Sequence, residues 1–291
     1  MKIKIIFIVL SAFCINKSVG QTVFGKVVDS ATGEALEYVN IGVIGEPRGT
    51  ITDKSGDYQL EISGLTAEVS VRISMIGYAA QTITIKSLSD NNGMTVRLES
   101  APVILSEVVV RPGKLPKPRK VGTTGCSAGS VCGWGGTFHG KGNEIGTKIE
   151  IGETPVQVKS LHFRLYKQSY DTCFLRLHVR NIVNDLPGDE LLSQHIIFPI
   201  TTESGWVVID LSEYHLELQG DVILSIEWVD YRGINERRFE RVKSNGKKLP
   251  PYAVLLFRIQ KNKGSTYTRW GSEAKWGKSE DASPSFYLTV L

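Results

Sequence analysis

From Thr22 to Tyr78 apolar and polar residues alternate in short runs, and Gly, Asp and Ser break the runs. The runs are Thr22–Asp29, Ala35–Ile44, Gly49–Leu60 and a segment closing at Met75-Ile-Gly-Tyr78. A period of two with no helical period predicts short strands. A second series follows Ile149: Val156–Tyr166, Phe174–Val183, Gln194–Ile200, Gly205–Leu211, Asp221–Val229, Tyr252–Ile259 and Ser285–Val290. Turn signals separate these runs, notably Asn184-Asp-Leu-Pro-Gly188 and Glu203-Ser-Gly205. About eight strands over roughly 165 residues predict a β-sandwich of jelly-roll-like type. The expected fold class is all-β, with two β-sandwich domains.

The stretch between the two series has a different composition. Arg111 to Lys120 holds five cations, three prolines and no acid, which predicts a semi-stiff linker. Residues 121 to 145 are rich in Gly, Ser and Thr. At the N-terminus Lys2 and Lys4 precede an apolar run from Ile5 to Ile15, too short to span a bilayer. Ser18 and Gly20 suit cleavage before Gln21, so residues 1–20 read as a signal peptide. The expected units are 1–20 signal peptide, 21–105 first sandwich, 106–125 basic linker and 126–291 second sandwich. No later segment reads as a transmembrane helix.

The first series carries a more specific pattern. Gly25–Asp29 reads G-x-V-x-D, Gly49–Tyr58 reads G-T-x-T-D-x-x-G-x-Y, and Gly77-Tyr78 closes it. This pattern resembles the carboxypeptidase regulatory-like domain, which implies a small non-catalytic β-sandwich of transthyretin/Ig-like type. Further on, Leu105-Ser-Glu-Val-Val-Val-Arg111 resembles the segment that follows the same domain in TonB-dependent outer-membrane receptors. No plug or series of barrel strands follows here, so the receptor reading is set aside. The resemblance still implies a cell-envelope setting, in the periplasm or at the outer-membrane surface of a Gram-negative bacterium.

Charge and cysteine content narrow the function. A net charge of +4 over 291 residues is mild, and with export it argues against a nucleic-acid binder. Cys14 falls in the signal peptide, leaving Cys126, Cys132 and Cys173. An oxidising compartment makes a Cys126–Cys132 bridge the expected pairing, with Cys126–Cys173 the alternative that sequence does not separate. Three cysteines make no zinc site, and none of His139, His162, His178, His195 or His215 has a Glu three residues on. No metal or cofactor is expected. Asp53-Lys-Ser-Gly-Asp57 lacks a full calcium ligand set and reads as a hairpin turn.

Three constellations remain. Gly125-Cys-Ser-Ala-Gly129 matches the nucleophile elbow G-x-S-x-G. An elbow needs a strand before it and a helix after it, and a Pro-rich linker and glycines stand there instead. A serine hydrolase using Ser127 is therefore the remote reading. In two strands the polar faces are His162, Arg164, Tyr166 and Arg176, His178, Arg180; if the strands pair, they form one patch for carboxylates or sulfates, with Glu227 joining it. Last, Tyr267-Thr-Arg269-Trp270 and Lys275-Trp276 lie in a polar stretch read as a loop, with Trp134 a further loop indole and Trp206 and Trp228 read as core. Trp270 and Trp276 are expected to offer a stacking surface for sugar rings, with Arg269 and Tyr267 beside them. The expected function is non-catalytic binding of a glycan or a cell-envelope protein. The alternative is a structural component of an outer-membrane-associated assembly.

Overall fold

The computed structural model describes residues 21–101, 117–135, 141–241, 243–244, 247–248 and 250–291. The expected signal peptide lies outside them. The first domain contains β1 (Thr22–Asp29), β2 (Asn40–Val43), β3 (Gly49–Ile51), β4 (Asp57–Glu61), β5 (Ser70–Ser74), β6 (Gln81–Thr84), α1 (Ile85–Asp90) and β7 (Thr95–Leu98). The second contains β8 (Arg119–Gly122), β9 (Val131–Gly135), β10 (Asn143–Ile149), β11 (Val156–Gln168), β12 (Tyr170–Val183), β13 (Leu186–Glu190), β14 (Ile196–Ile200) and β15 (Gly205–Asp210). It continues with β16 (Glu217–Leu218), β17 (Val222–Ile234), β18 (Lys243–Ser244), β19 (Lys247–Lys248), β20 (Val254–Trp270), β21 (Gly277–Pro284) and β22 (Phe286–Val290).

In the first domain a three-stranded sheet, β4-β1-β7, packs on a four-stranded one, β3-β2-β5-β6. Strict alternation in β4 buries Tyr58 and Leu60 and exposes Asp57, Gln59 and Glu61. The two inner faces close on Val27, Ile41, Leu60, Ile73 and Leu98. The Asp53–Asp57 segment is a tight turn: Asp53 Oδ1 accepts from the amides of Ser55 and Asp57 at 2.8 and 3.0 Å. It links β3 and β4, which belong to different sheets, so it is a corner and not the expected hairpin. The helix α1 has only six residues, too few to print a period, and Thr84 caps it by accepting from the Ser87 amide at 3.2 Å.

The second domain is a two-sheet sandwich whose halves share one strand. The start of β20 pairs with β9 and β11 and its end pairs with β10, while β21 pairs with it from Ile259 to Thr268. The sheet built on the first half holds β15, β11, β22 and β8. The sheet built on the second half holds β10, β17, β12, β13 and β14. Between them Phe163, Leu177, Ile226, Phe257 and Phe286 are fully buried in one core. Strands β11 and β12 are consecutive but lie in opposite sheets. Gln168 fixes the corner between them by donating to the carbonyls of Ile200 and Thr202 at 3.3 and 3.0 Å.

Two sequence expectations change here. Strand β8 pairs with β22 from Arg119 onward, so the second domain begins inside the segment 106–125 expected as linker. The cations Arg119 and Lys120 are exposed while Val121 is buried, as suits a half-buried edge strand. Residues 106–116 of that segment lie outside the described ones. Trp134 is not a loop indole: it sits on β9, buried, with its ring 6.0 Å from Trp228 and edge-on to Phe257 at 5.7 Å.

The first domain lies on the outer face of the β12–β17–β10 sheet. All four residues of β2 are buried. Ile41 and Val43 enter the first domain's own core, while Asn40 and Gly42 contact the second domain. Gly42 is required by this approach, because a Cβ there would stand 2.6 Å from the Glu273 backbone nitrogen. The Gly45 amide donates to the Glu273 carbonyl at 3.2 Å, and Tyr38 and Ile51 form an apolar contact with Val229, Phe174 and Ile197.

Candidate functional site

Alternation decides which side chains meet under the first domain. In β12, Leu175, Leu177 and Val179 enter the core, so Arg176, His178 and Arg180 emerge on the opposite face. In β17 the same parity sends Glu227 outward between Ile226 and Trp228. Register aligns Arg176 with Glu227, Glu227 with Glu144 on β10, and Glu144 with Arg269 on β20. One row of four charged residues therefore crosses four strands. Such a face is normally solvated, but here the first domain covers it. Arg176 is 1% exposed and Glu144 and Glu227 are 0% exposed.

The charges pair closely. Arg269 holds Glu144 with Nε and Nη2 at 2.8 and 2.7 Å, and Arg180 holds the other Glu144 oxygen together with Ser225. His178 sits between two carboxylates, with Nδ1 2.5 Å from Glu190 and Nε2 2.9 Å from Glu227. Arg176 contacts Glu227 at 3.4 Å and donates to the carbonyl of Tyr38 in the first domain. Asn40, also from the first domain, donates to Glu227 at 3.5 Å. The cluster thus stitches the two domains through groups that water does not reach.

Electrostatics follow from burial against pairing. Burial works against an ionised Glu144, yet the guanidinium groups of Arg180 and Arg269 hold it well below the usual carboxylate range. Glu227 is lowered in the same way, burial opposing and Arg176 with His178 prevailing. Burial and Arg180 work against a charged His178, but Glu144 and Glu190 outweigh them and raise it. When the ring is protonated both nitrogens donate, one to each carboxylate, and Arg180 Nη2 stands 3.0 Å from Nδ1. His195 behaves oppositely: burial, with Arg176 and His178 nearby, pushes it down to about 3.

A cavity of about 430 Å³ opens beside this cluster, between the domains. Asn40 and Arg72 of the first domain and Arg176, His178, Glu190 and Trp276 of the second line it. Trp276 rests near the guanidinium groups of Arg269 and Arg180, at 4.9 and 5.6 Å from its ring centre. Arg72 and Glu273 pair at 3.6 Å at its edge. Two residues of the lining keep a buried polar atom without a partner: Arg176 its Nε, a donor, and Asn40 its Oδ1, an acceptor. Among the described residues no group of histidine, cysteine and carboxylate side chains is arranged to hold a metal ion.

The residues singled out from the sequence are distributed differently. The face expected to join Arg164 with Arg176 and His178 does not form, because β11 and β12 lie in opposite sheets. Arg176 and His178 are in the cluster, and Glu227 meets them there, while Arg164 lies on the far side of the sandwich. The stretch Tyr267–Trp270 is strand and not loop. Tyr267 is buried, Arg269 is committed to Glu144, and Trp270 is 51% exposed, outside the cavity lining. Trp276 does line the cavity, so the two indoles form no common groove. Trp206, expected in the core, is 37% exposed.

The expected Cys126–Cys132 bridge is not formed. All three described cysteines are free, Cys126 accepting from Arg164 at 3.3 Å and Cys132 turned to the core on β9. Ser127 lies in the loop between β8 and β9, its Oγ accepting from the Lys261 amide at 2.9 Å. Sequence reasoning passed over Asn40, Arg72, Glu144 and Glu190. The signal available was the acidic parity of Glu144 in its strand, which matches the basic parity of Arg176.

The family model described as CarboxypepD_reg-like domain matches residues 23–110. The first domain is a carboxypeptidase regulatory-like domain. The match falls on a regulatory-like sandwich and not on a catalytic domain. No curated protein matches the chain. Among solved structures, the cysteine protease and lectin-like domains of Cwp84, a surface layer associated protein of Clostridium difficile, align at 9% identity and a TM-score of 0.34, covering 94% of this chain and 59% of that one. The structure of infectious bursal disease virus Gx strain aligns at 9% identity and a TM-score of 0.26, covering 92% and 62%. The chain thus spans about three fifths of either. Among the described residues no helix is long and apolar enough to cross a membrane.

Proposed function

We propose that this chain is an exported, non-catalytic binding protein of the Gram-negative cell envelope, periplasmic or at the outer-membrane surface, and that the cavity between its domains takes a neutral glycan. The observation that carries this reading is Arg176, a buried side chain lining the cavity with one donor unpartnered. Asn40 supplies an unpartnered acceptor in the same lining. A sugar hydroxyl both donates and accepts, so it suits this pair once the Arg176 and Asn40 side chains shift to bring the two closed atoms to the cavity wall. Trp276 adds an apolar ring surface. Around the cavity Arg72, Arg176, Arg180, Arg269 and protonated His178 are matched by Glu144, Glu190, Glu227, Glu273 and Asp189, which disfavours a strongly charged ligand. A volume of about 430 Å³ lies within the range of small-molecule sites.

The absence of catalysis is part of the proposal. Ser127 sits in a loop with its oxygen occupied by a backbone amide, a setting without the strained turn a nucleophile needs. The test is a screen of the mature chain against neutral oligosaccharides, with Trp276→Ala, Trp276→Phe and Arg72→Ala alongside. Binding should be nearly indifferent to salt, lost in Trp276→Ala and partly kept in Trp276→Phe. Full binding by Trp276→Ala, or no glycan bound by the wild type, removes this reading and favours the assembly component.

A further inference from the structure

The other sheet of the sandwich turns its outer face away from the charged cluster. Strands β15, β11, β22 and β8 lie side by side there. Register sets Trp206 opposite Arg164, and His162 opposite both Val208 and Tyr287. Val208 is 58% exposed and Trp206 37%, so this face is open to solvent.

Three cations on this face each lie over an aromatic ring. Arg164 is 5.8 Å from the Trp206 ring centre, Lys120 is 5.2 Å from Tyr287, and Arg258 is 4.5 Å from Tyr166. Among the described residues none of the three is ion-paired. Asp210, at the end of β15, is engaged by its own turn, accepting from the Ser212 amide at 2.9 Å. The His162 ring stacks on Tyr287 at 4.2 Å and is held below its ordinary pKa by burial and by Lys120.

We propose that this face is a docking surface for an acidic polysaccharide. Unpaired guanidinium groups match carboxylate or sulfate in a planar, two-pronged way. Trp206 supplies the flat apolar surface that a sugar ring covers. Register sets Lys120 three strands across and four residues along from Trp206, about 20 Å away by strand spacing and rise, which suits a chain of sugars and not a single residue. This surface is separate from the interdomain cavity in position and in charge, so it stands whether or not that cavity binds a glycan.

The experiment measures retention of the mature chain on polygalacturonate, with fully methyl-esterified polygalacturonate and polyglutamate as comparison polymers. The wild type should bind polygalacturonate, release as salt rises, and ignore the neutral ester. Trp206→Ala should weaken binding about three- to tenfold, the range of one aromatic contact, with Trp206→Phe intermediate. Arg164→Ala and Arg258→Ala should each weaken it and flatten its salt response. Trp276→Ala, in the cavity, and Lys54→Ala, on the first domain, should leave it unchanged. No retention of the wild type at low salt overturns the proposal. Equal binding of polyglutamate with no effect of Trp206→Ala also overturns it, assigning the face to acidic protein. Loss of binding in Trp276→Ala overturns it in favour of the cavity.

Discussion

The two outer faces of the second domain are built from the same residue types and behave in opposite ways. On the covered face Arg176, Arg180 and Arg269 each meet a carboxylate, and the first domain shuts out water. On the open face Arg164, Arg258 and Lys120 meet rings and no acid among the described residues. Two acids, Glu144 and Glu227, on the two strands between β12 and β20 make the difference. An arginine in a strand is therefore glue or bait according to its cross-strand neighbour. A buried, paired charge adds little net stability but is costly to break, and an exposed one contributes little either way.

The sharpest way to break this contrast is Glu144→Gln. It leaves Arg180 and Arg269 buried without their shared carboxylate, and urea unfolding should show a loss of about 3–5 kcal/mol. A loss comparable to that of an exposed-face variant would mean the cluster is not buried as described. Next in size is Gly42→Ala. Its Cβ would press on the Glu273 backbone, so docking should weaken by about 1–3 kcal/mol, with the domains beginning to melt separately in calorimetry.

A third effect is a dependence on pH. The folded His178 binds its proton more tightly than the unfolded chain does, so its contribution is complete below about pH 6.5 and lost as pH rises through the raised folded value. His195 works the other way, its depressed value costing stability as pH falls from about 6.5 toward 3. Wild type minus His178→Gln isolates the first term: the difference should shrink on going from pH 6 to alkaline solution by at most about 1.4 kcal/mol per pH unit. A flat difference would place His178 as neutral. The smallest effect belongs to the open face, where Arg164→Ala should change the unfolding free energy in urea by less than about 0.5 kcal/mol.

Much of the strand content was legible, because alternation in runs such as Asp57–Glu61 and Leu175–Val179 directly marks inner and outer sides. The polar parity of Arg176, His178 and Arg180 was legible too. What covers that face was not, since burial by a separate domain leaves no period in the covered strand. The pairing of β11 with β12 failed as an expectation because neighbours in sequence usually pair, whereas here a corner at Gln168 sends them to different sheets. The second half of β20 was read as loop because Gln260–Thr266 is polar throughout, although Thr266–Trp270 keeps its register with β10. The indole positions Trp134, Trp206 and Trp270 were misassigned for a related reason: aromatic residues suit both core and surface of a sheet.

Strand β20 carries Arg258 on the open face and Arg269 beneath the first domain, on one unbroken covalent path. If the open face is anchored to a polymer while the first domain is held elsewhere, tension runs lengthwise through this strand. Its ladder hydrogen bonds lie across that pull, so they share the load together in shear and are not unzipped one after another. The shared strand would then act as a tie rod, resisting sudden force far better than its equilibrium stability alone implies.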